Sequence, residues 1–132
     1  QISLLQGTDG RKMSKSYGNT VPLFGNKEEI EKAVMSIVTD SSGDRPEYVY
    51  AIHRLLKSAD ELDPVYEASK GKYGDLKKLL ASDLETLIAP MREKRSGITD
   101  KEVMDVLNAG TTKAKQVSNI TLSKVRKAVG VN

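Results

Sequence analysis

Cysteine and tryptophan are absent, histidine occurs once, and aromatic residues make up only 5% of the 132-residue chain. Without cysteine there is no disulfide scaffold, no thiolate zinc site and no cysteine nucleophile. The lone histidine, His53, excludes a multi-histidine metal site and leaves a serine triad one possible base. No apolar run approaches the roughly 20 residues needed to span a bilayer, and no signal-peptide pattern opens the chain. The expectation is a soluble, intracellular protein. Its length suits one domain, large enough to bury roughly two thirds of its unfolded surface without covalent staples.

What the sequence does hold is unevenly placed. It starts at Gln1 and runs at once into Ile2, Leu4 and Leu5, so it reads as a piece of something longer. Residues 1–89 carry 12 basic and 14 acidic side chains, whereas residues 90–132 carry 9 and 4. From Thr111 onward there are Lys113, Lys115, Lys124, Arg126 and Lys127, with no acid. Such a basic end suits a polyanionic partner. It equally suits a solvated helical face whose lysines complement the helix dipole. Charge alone leaves both open.

Residues 1–25 hold Gly7, Gly10, Gly18, Gly25 and Pro22, and read as loop after a strand remnant at Ile2–Leu5. From Asn26 the pattern turns helical. Asn26 with Glu29, Asp44 with Glu47 and Thr99 with Glu102 have the spacing of a helix cap and its partner. Asp63 before Pro64 predicts another start, because proline tolerates the first turn. Ile30, Ala33, Val34, Ile37 and Val38 line one helical face, and Leu76, Leu79, Leu80, Leu84, Leu87, Ile88 and Met91 sustain the period longest. Pro90 should kink that helix or end it early. Val103, Val106 and Leu107 predict a short helix closed by Gly110. Ala114, Val117, Thr121, Val125 and Ala128 predict a last one closed by Gly130. The expected fold is all-α: a bundle of five or six helices behind a glycine-rich loop, its leucines and valines forming the core. The expected division is 1–25 and 26–132.

His53 lies in a helical stretch with no carboxylate three or four residues away to orient it, and reads as structural or surface rather than catalytic. The chemistry gathers elsewhere, in Gly10-Arg11-Lys12-Met13-Ser14-Lys15-Ser16-Tyr17-Gly18-Asn19. Two lysines three apart, with hydroxyls between glycines, suit a polyphosphate that gains charge during reaction. Ammonium groups act as point charges, and hydroxyl and backbone donors meet phosphate oxygens. Glycines would let the loop close and reopen, and residues 7–19 are expected to be the least ordered internal segment. A Walker A loop is excluded, because Ser14 rather than glycine precedes Lys15.

Lys12-Met13-Ser14-Lys15-Ser16 is identical to the signature pentapeptide of class I aminoacyl-tRNA synthetases. Average residue usage gives it a chance probability on the order of 10⁻⁴ in a chain of this length. The flanking Asp9–Asn19 resembles the tryptophanyl-tRNA synthetase form of the motif. So do Ala33-Val34-Met35-Ser36-Ile37-Val38-Thr39-Asp40-Ser41, Gly71-Lys72-Tyr73-Gly74-Asp75-Leu76-Lys77-Lys78 and Ala89-Pro90-Met91-Arg92-Glu93-Lys94-Arg95. The resemblance runs from about Ile2 to Gly130. Tyrosyl-tRNA synthetases, the nearest relatives, usually vary the pentapeptide.

The resemblance implies that residues 1–25 end a Rossmann-type catalytic domain and residues 26–132 form a helical anticodon-binding region. It implies ATP, accompanied by Mg2+, as co-substrate for activating tryptophan and charging tRNA(Trp) in the cytoplasm. Lys12 and Lys15 would stabilise transition-state charge on the phosphates. Met13, Ser14 and Ser16 would shape the loop and, with the lysines, bind ATP. Candidate tRNA-contacting residues are Arg92, Lys94, Arg95, Lys113 and Lys115. Tryptophan would be bound by the absent domain, no membrane is involved, and the full-length enzyme would be a homodimer. Nothing resembles the family's His-x-Gly-His-type signature, so this chain alone is expected to be catalytically silent. A stand-alone RNA-binding helical module, a purely structural domain and the corresponding part of a tyrosyl relative are the alternatives.

Overall fold

The computed structural model describes residues 4–39 and 45–131. Among the described residues five α-helices follow the N-terminal loop: α1 (Lys27–Met35), α2 (Glu47–His53), α3 (Ala59–Ala68), α4 (Tyr73–Ser96) and α5 (Asp100–Ala128). A single 3-10 turn, Lys15–Tyr17, lies within the loop. The described residues contain no strand, only an isolated antiparallel bridge between Gln6 and Lys12. Of the expected strand remnant, Ile2 lies outside the described residues, and Leu4 and Leu5 are not in a strand. None of the described helices is long and apolar enough to cross a membrane.

The chain divides into two compact units, Gln1–Glu93 and Lys94–Asn132. In the first, α1, α2 and α4 close on a core of Ile30, Val34, Ile37, Val49, Ile52, Leu80, Leu84 and Ile88. The period-3.6 stripes of α1 and α4 meet there, which explains why these segments are helical and where they face. Leu5, Met13 and Val21 of the loop pack against the same core. A second cluster, Tyr50, Leu62, Tyr66 and Leu76, seats α3 against α2 and α4.

Capping chemistry sets several boundaries. Asn26 accepts from the Glu29 N–H at 2.8 Å while Glu29 accepts from the Asn26 N–H at 2.7 Å, as the spacing predicted. Thr99 and Glu102 repeat the arrangement on α5. For α3 the expectation fails: the cap is Ser58, paired reciprocally with Glu61, and Pro64 sits inside the helix. A Ser-x-x-Glu box satisfies two donors, which Asp63 before proline does not. α2 begins at Glu47, with Pro46 at the cap position and no capping side chain; Asp44 lies outside the described residues. Glu47 instead pairs with Arg45 at 2.9 Å.

Pro90 does not end its helix, which continues to Ser96. The carbonyl its missing donor would have met belongs to exposed Thr86, where water can serve it, while Ile88 and Leu84 stay buried in the core. Core burial outweighs the local penalty.

The second unit departs most from expectation. The two helices predicted on either side of Gly110 are one helix of 29 residues, closed beyond Ala128 with Gly130 in the left-handed region. A helical glycine on an exposed face costs only about 1 kcal/mol relative to alanine, too little to split a helix. None of the residues of α5 is buried, so Val103, Val106, Leu107, Val117 and Val125 are not core within their own unit. Val38, Leu87 and Met91 are also exposed.

Candidate active-site loop

The pentapeptide lies on a pinned backbone. Met13 is half-buried, its side chain against the core and its N–H donating to Leu5 O at 2.9 Å. On either side of it the side chain of Asn19 takes hold. Asn19 Nδ2 donates to Lys12 O at 3.1 Å and to Asp9 Oδ1 at 2.6 Å, and its Oδ1 accepts from Ser14 N at 2.8 Å. Asn19 is 2% exposed. Gly18 enters the left-handed region at φ 65° and returns the chain from the 3-10 turn to Asn19.

The loop is tied outward as well. Thr8 N–H donates to Asn19 O at 2.9 Å, and Val38 N–H donates to Thr8 O at 2.8 Å. The carbonyls of Met35 and Ile37, just before, accept from the Lys77 ammonium at 3.1 and 2.6 Å. Burial pushes the Lys77 pKa down, so these two carbonyls are its compensation. Arg92 holds the other end, donating to Gly25 O at 2.6 Å and pairing with Glu85.

Asp9 is the electrostatic centre of the loop. The Asn19 hydrogen bond, against partial desolvation and with help from the Arg11 guanidinium and backbone, brings its carboxyl down to about 2. Arg11 also lies over the Tyr17 ring at 4.8 Å. Ser14 and Ser16 join their hydroxyls at 2.8 Å. Lys12 and Lys15, by contrast, are exposed and make no ion pair among the described residues. The loop therefore offers two uncommitted ammonium groups and a hydroxyl pair on a fixed backbone, a donor set suited to phosphate oxygens.

The sequence model of a family described as "tRNA synthetases class I (W and Y)" matches residues 1–108. The chain belongs to that family.

Among curated class I relatives, the tryptophan–tRNA ligase of Rhodopirellula baltica is 35% identical over 136 residues, a match covering 95% of this chain and 42% of that protein. The tryptophan–tRNA ligase of Aquifex aeolicus is 36% identical over 141 residues, covering 96% of this chain and 36% of that one. A crystal structure of tryptophanyl-tRNA synthetase from Campylobacter jejuni, complexed with ADP and tryptophan, superposes with a TM-score of 0.84 at 29% identity. That superposition covers 99% of this chain and 44% of the Campylobacter one. The chain thus spans less than half the length of these class I synthetases.

Several partners had no signal in the sequence. Asn19 and Asp9 were part of the motif's flank without a role. His53 is fully buried, with Nδ1 3.0 Å from Tyr66 Oη and Nε2 2.7 Å from Asp83, which also meets Lys57 at 2.6 Å. Desolvation raises the Asp83 pKa, but the Lys57 and His53 contacts outweigh it and hold the carboxyl below its usual range. His53 is thus buried rather than on the surface, and it does have an orienting carboxylate, which comes from 30 residues away rather than from the next turn.

Proposed function

We propose that this chain is the part of a tryptophan–tRNA ligase that carries the phosphate-handling loop and the helical region after it, working in the cytoplasm as part of a homodimer. The observation that carries the reading is the placement of Lys12 and Lys15, exposed and uncommitted, on a backbone fixed by Asn19 and Met13. In the proposed first step a carboxylate oxygen of tryptophan attacks the α-phosphorus of ATP. The bond from that phosphorus to the bridging oxygen breaks, and pyrophosphate leaves; Mg2+ brought in with the nucleotide would neutralise part of the phosphate charge. In the second step a hydroxyl of the terminal ribose of tRNA(Trp) attacks the carbonyl carbon of the adenylate and AMP leaves.

Lys15, with Lys12, meets the charge that develops on the phosphates in the first step. Met13 seats the loop on the helical core, and Ser14 and Ser16 donate to the nucleotide. No residue here needs to remove a proton in the first step, because a carboxylate is already a nucleophile. Residues 1–25 close the catalytic domain and residues 26–132 reach the anticodon region of the tRNA. Lys94, Arg95, Lys113 and Lys115 offer phosphate contacts there. Arg92 adds charge while held by Glu85 and Gly25.

The test is tryptophan-dependent exchange of pyrophosphate into ATP. In the full-length enzyme Lys15→Ala should slow exchange about 10²–10³-fold, the scale of losing one transition-state donor, with tryptophan binding unchanged. This chain alone should give no exchange, since it does not position the reactants. Exchange by the isolated chain, or a Lys15→Ala enzyme at the wild-type rate, would overturn the assignment.

A further inference from the structure

We propose that Asn19 is the positioning residue of this loop, setting where Lys12 and Lys15 leave the backbone; the inference rests on the phosphate role given to those lysines above. A carboxamide offers two N–H donors and a carbonyl acceptor. In Asn19 both kinds are used: Nδ2 serves the Asp9 carboxylate and Lys12 O, and Oδ1 serves Ser14 N. The orientation of the amide is dictated by these partners, because a flipped group would face two acceptors with an oxygen and a donor with a nitrogen.

Lys12 O and Ser14 N flank Met13, so one side chain grips the pentapeptide on both sides of its second residue. The Asn19 backbone adds a further tie through Thr8. The ionised Asp9 then fixes the carboxamide from behind and is itself braced by Arg11. No other side chain has the reach and the donor–acceptor pattern together. Aspartate would turn a carboxylate toward Asp9 and toward a carbonyl. Alanine would leave Lys12 O and Ser14 N without their protein partner and remove the link to Asp9. Glutamine is longer by a methylene, and the site is already filled: a Cβ built on Gly7 would overlap Asn19.

A device of this kind acts on chemistry through the lysines rather than by touching substrate. Its signature is therefore a loss of turnover that shrinks to the part acting through Lys12 when Lys15 is already gone. The experiment is a double-mutant cycle in the full-length enzyme, reading pyrophosphate exchange and, separately, tryptophan binding without ATP. Asn19→Ala and Asn19→Asp should each lower kcat about 10–100-fold, the scale of a misplacement near 1 Å, with tryptophan affinity unchanged. In a Lys15→Ala background, Asn19→Ala should cost no more than about threefold further, because the two residues act as one unit.

Unchanged tryptophan binding shows that the catalytic domain is folded in each variant, an unchanged circular dichroism spectrum shows the same of the helices, and Asn19→Asp keeps the side-chain volume where alanine loses it. Full multiplicative loss in the double variant would overturn the positioning role, as would Asn19 variants at the wild-type rate when Lys15→Ala is slow. Wild-type activity in Lys15→Ala itself would instead remove the phosphate role, and this inference with it.

Discussion

Asp83→Ala tests whether the second polar cluster, far from the loop in sequence, is as interdependent as its geometry requires. Asp83 accepts from two sides, His53 Nε2 at 2.7 Å and Lys57 Nζ at 2.6 Å. The Lys57 side chain is 37% exposed, so its ion pair contributes at most about 1 kcal/mol after screening. The His53 ring is fully buried. Removing its acceptor leaves an N–H in a dry site at about 1–3 kcal/mol. Together these give a loss of about 1–4 kcal/mol, a large share of the 5–15 kcal/mol typical of a whole domain.

Tyr66 completes the cluster. Desolvation raises its pKa well above the ordinary value, so its hydroxyl stays protonated and can donate to Nδ1 while Nε2–H donates to Asp83. Urea unfolding followed by circular dichroism at neutral pH measures the loss directly. The decisive comparison is Asp83→Ala in a His53→Leu background, where only the exposed Lys57 pair remains to lose and the cost should fall below about 1 kcal/mol. An Asp83→Ala loss under about 1 kcal/mol, or one that is undiminished beside Leu at position 53, would refute the reasoning.

The same carboxylate predicts a pH dependence. Its folded pKa lies below the unfolded value of 3.8, so its contribution is complete above about pH 4 and is lost as pH falls through the folded pKa. Urea midpoints of the wild type should drop there and those of Asp83→Asn should drop less; parallel curves would count against the pairing. Gly7→Ala should destabilise by about 1–3 kcal/mol, because its Cβ would overlap the carboxamide and carbonyl of buried Asn19, and a neutral result in the same urea assay would mean that the site is not filled. Thr99→Ala should weaken the start of α5 by about 1 kcal/mol, seen as faster amide exchange in its first turn; unchanged exchange would show the Thr99–Glu102 box to be idle.

The parts of the fold that were legible in the sequence were those governed by neighbours. The caps at Asn26 and Thr99, the apolar faces of α1 and α4, and the left-handed end at Gly130 depend on residues within a turn or two, so spacing exposes them. What failed was where a local signal met a stronger one. Pro90 is costly to a helix but is outweighed by core burial, and Gly110 is too mild a breaker to interrupt one. Exposed Val103 and Val106 show the converse limit: periodicity reveals that a face is apolar but not whether its own unit contains anything to cover it. Likewise the pentapeptide marked the loop, while the side chain that grips it was invisible. Asn19 is an ordinary turn residue until the chain folds back and brings Asp9, Lys12 and Ser14 around it.

The Lys77 contacts bear on how the protein is made. Its ammonium group serves a carbonyl 40 residues earlier, next to the strand of hydrogen bonds that holds the loop through Val38 and Thr8. Synthesis runs from the N-terminus, so the loop and α1 emerge before Lys77 and wait for their donor. At about 5–20 residues per second, 40 residues take about 2–8 s. During that interval Ile30, Val34 and Ile37 also lack α4 to lie against. Between the emergence of α1 and that of Lys77 the nascent chain therefore shows this apolar face to its surroundings, a surface that a chaperone could cover.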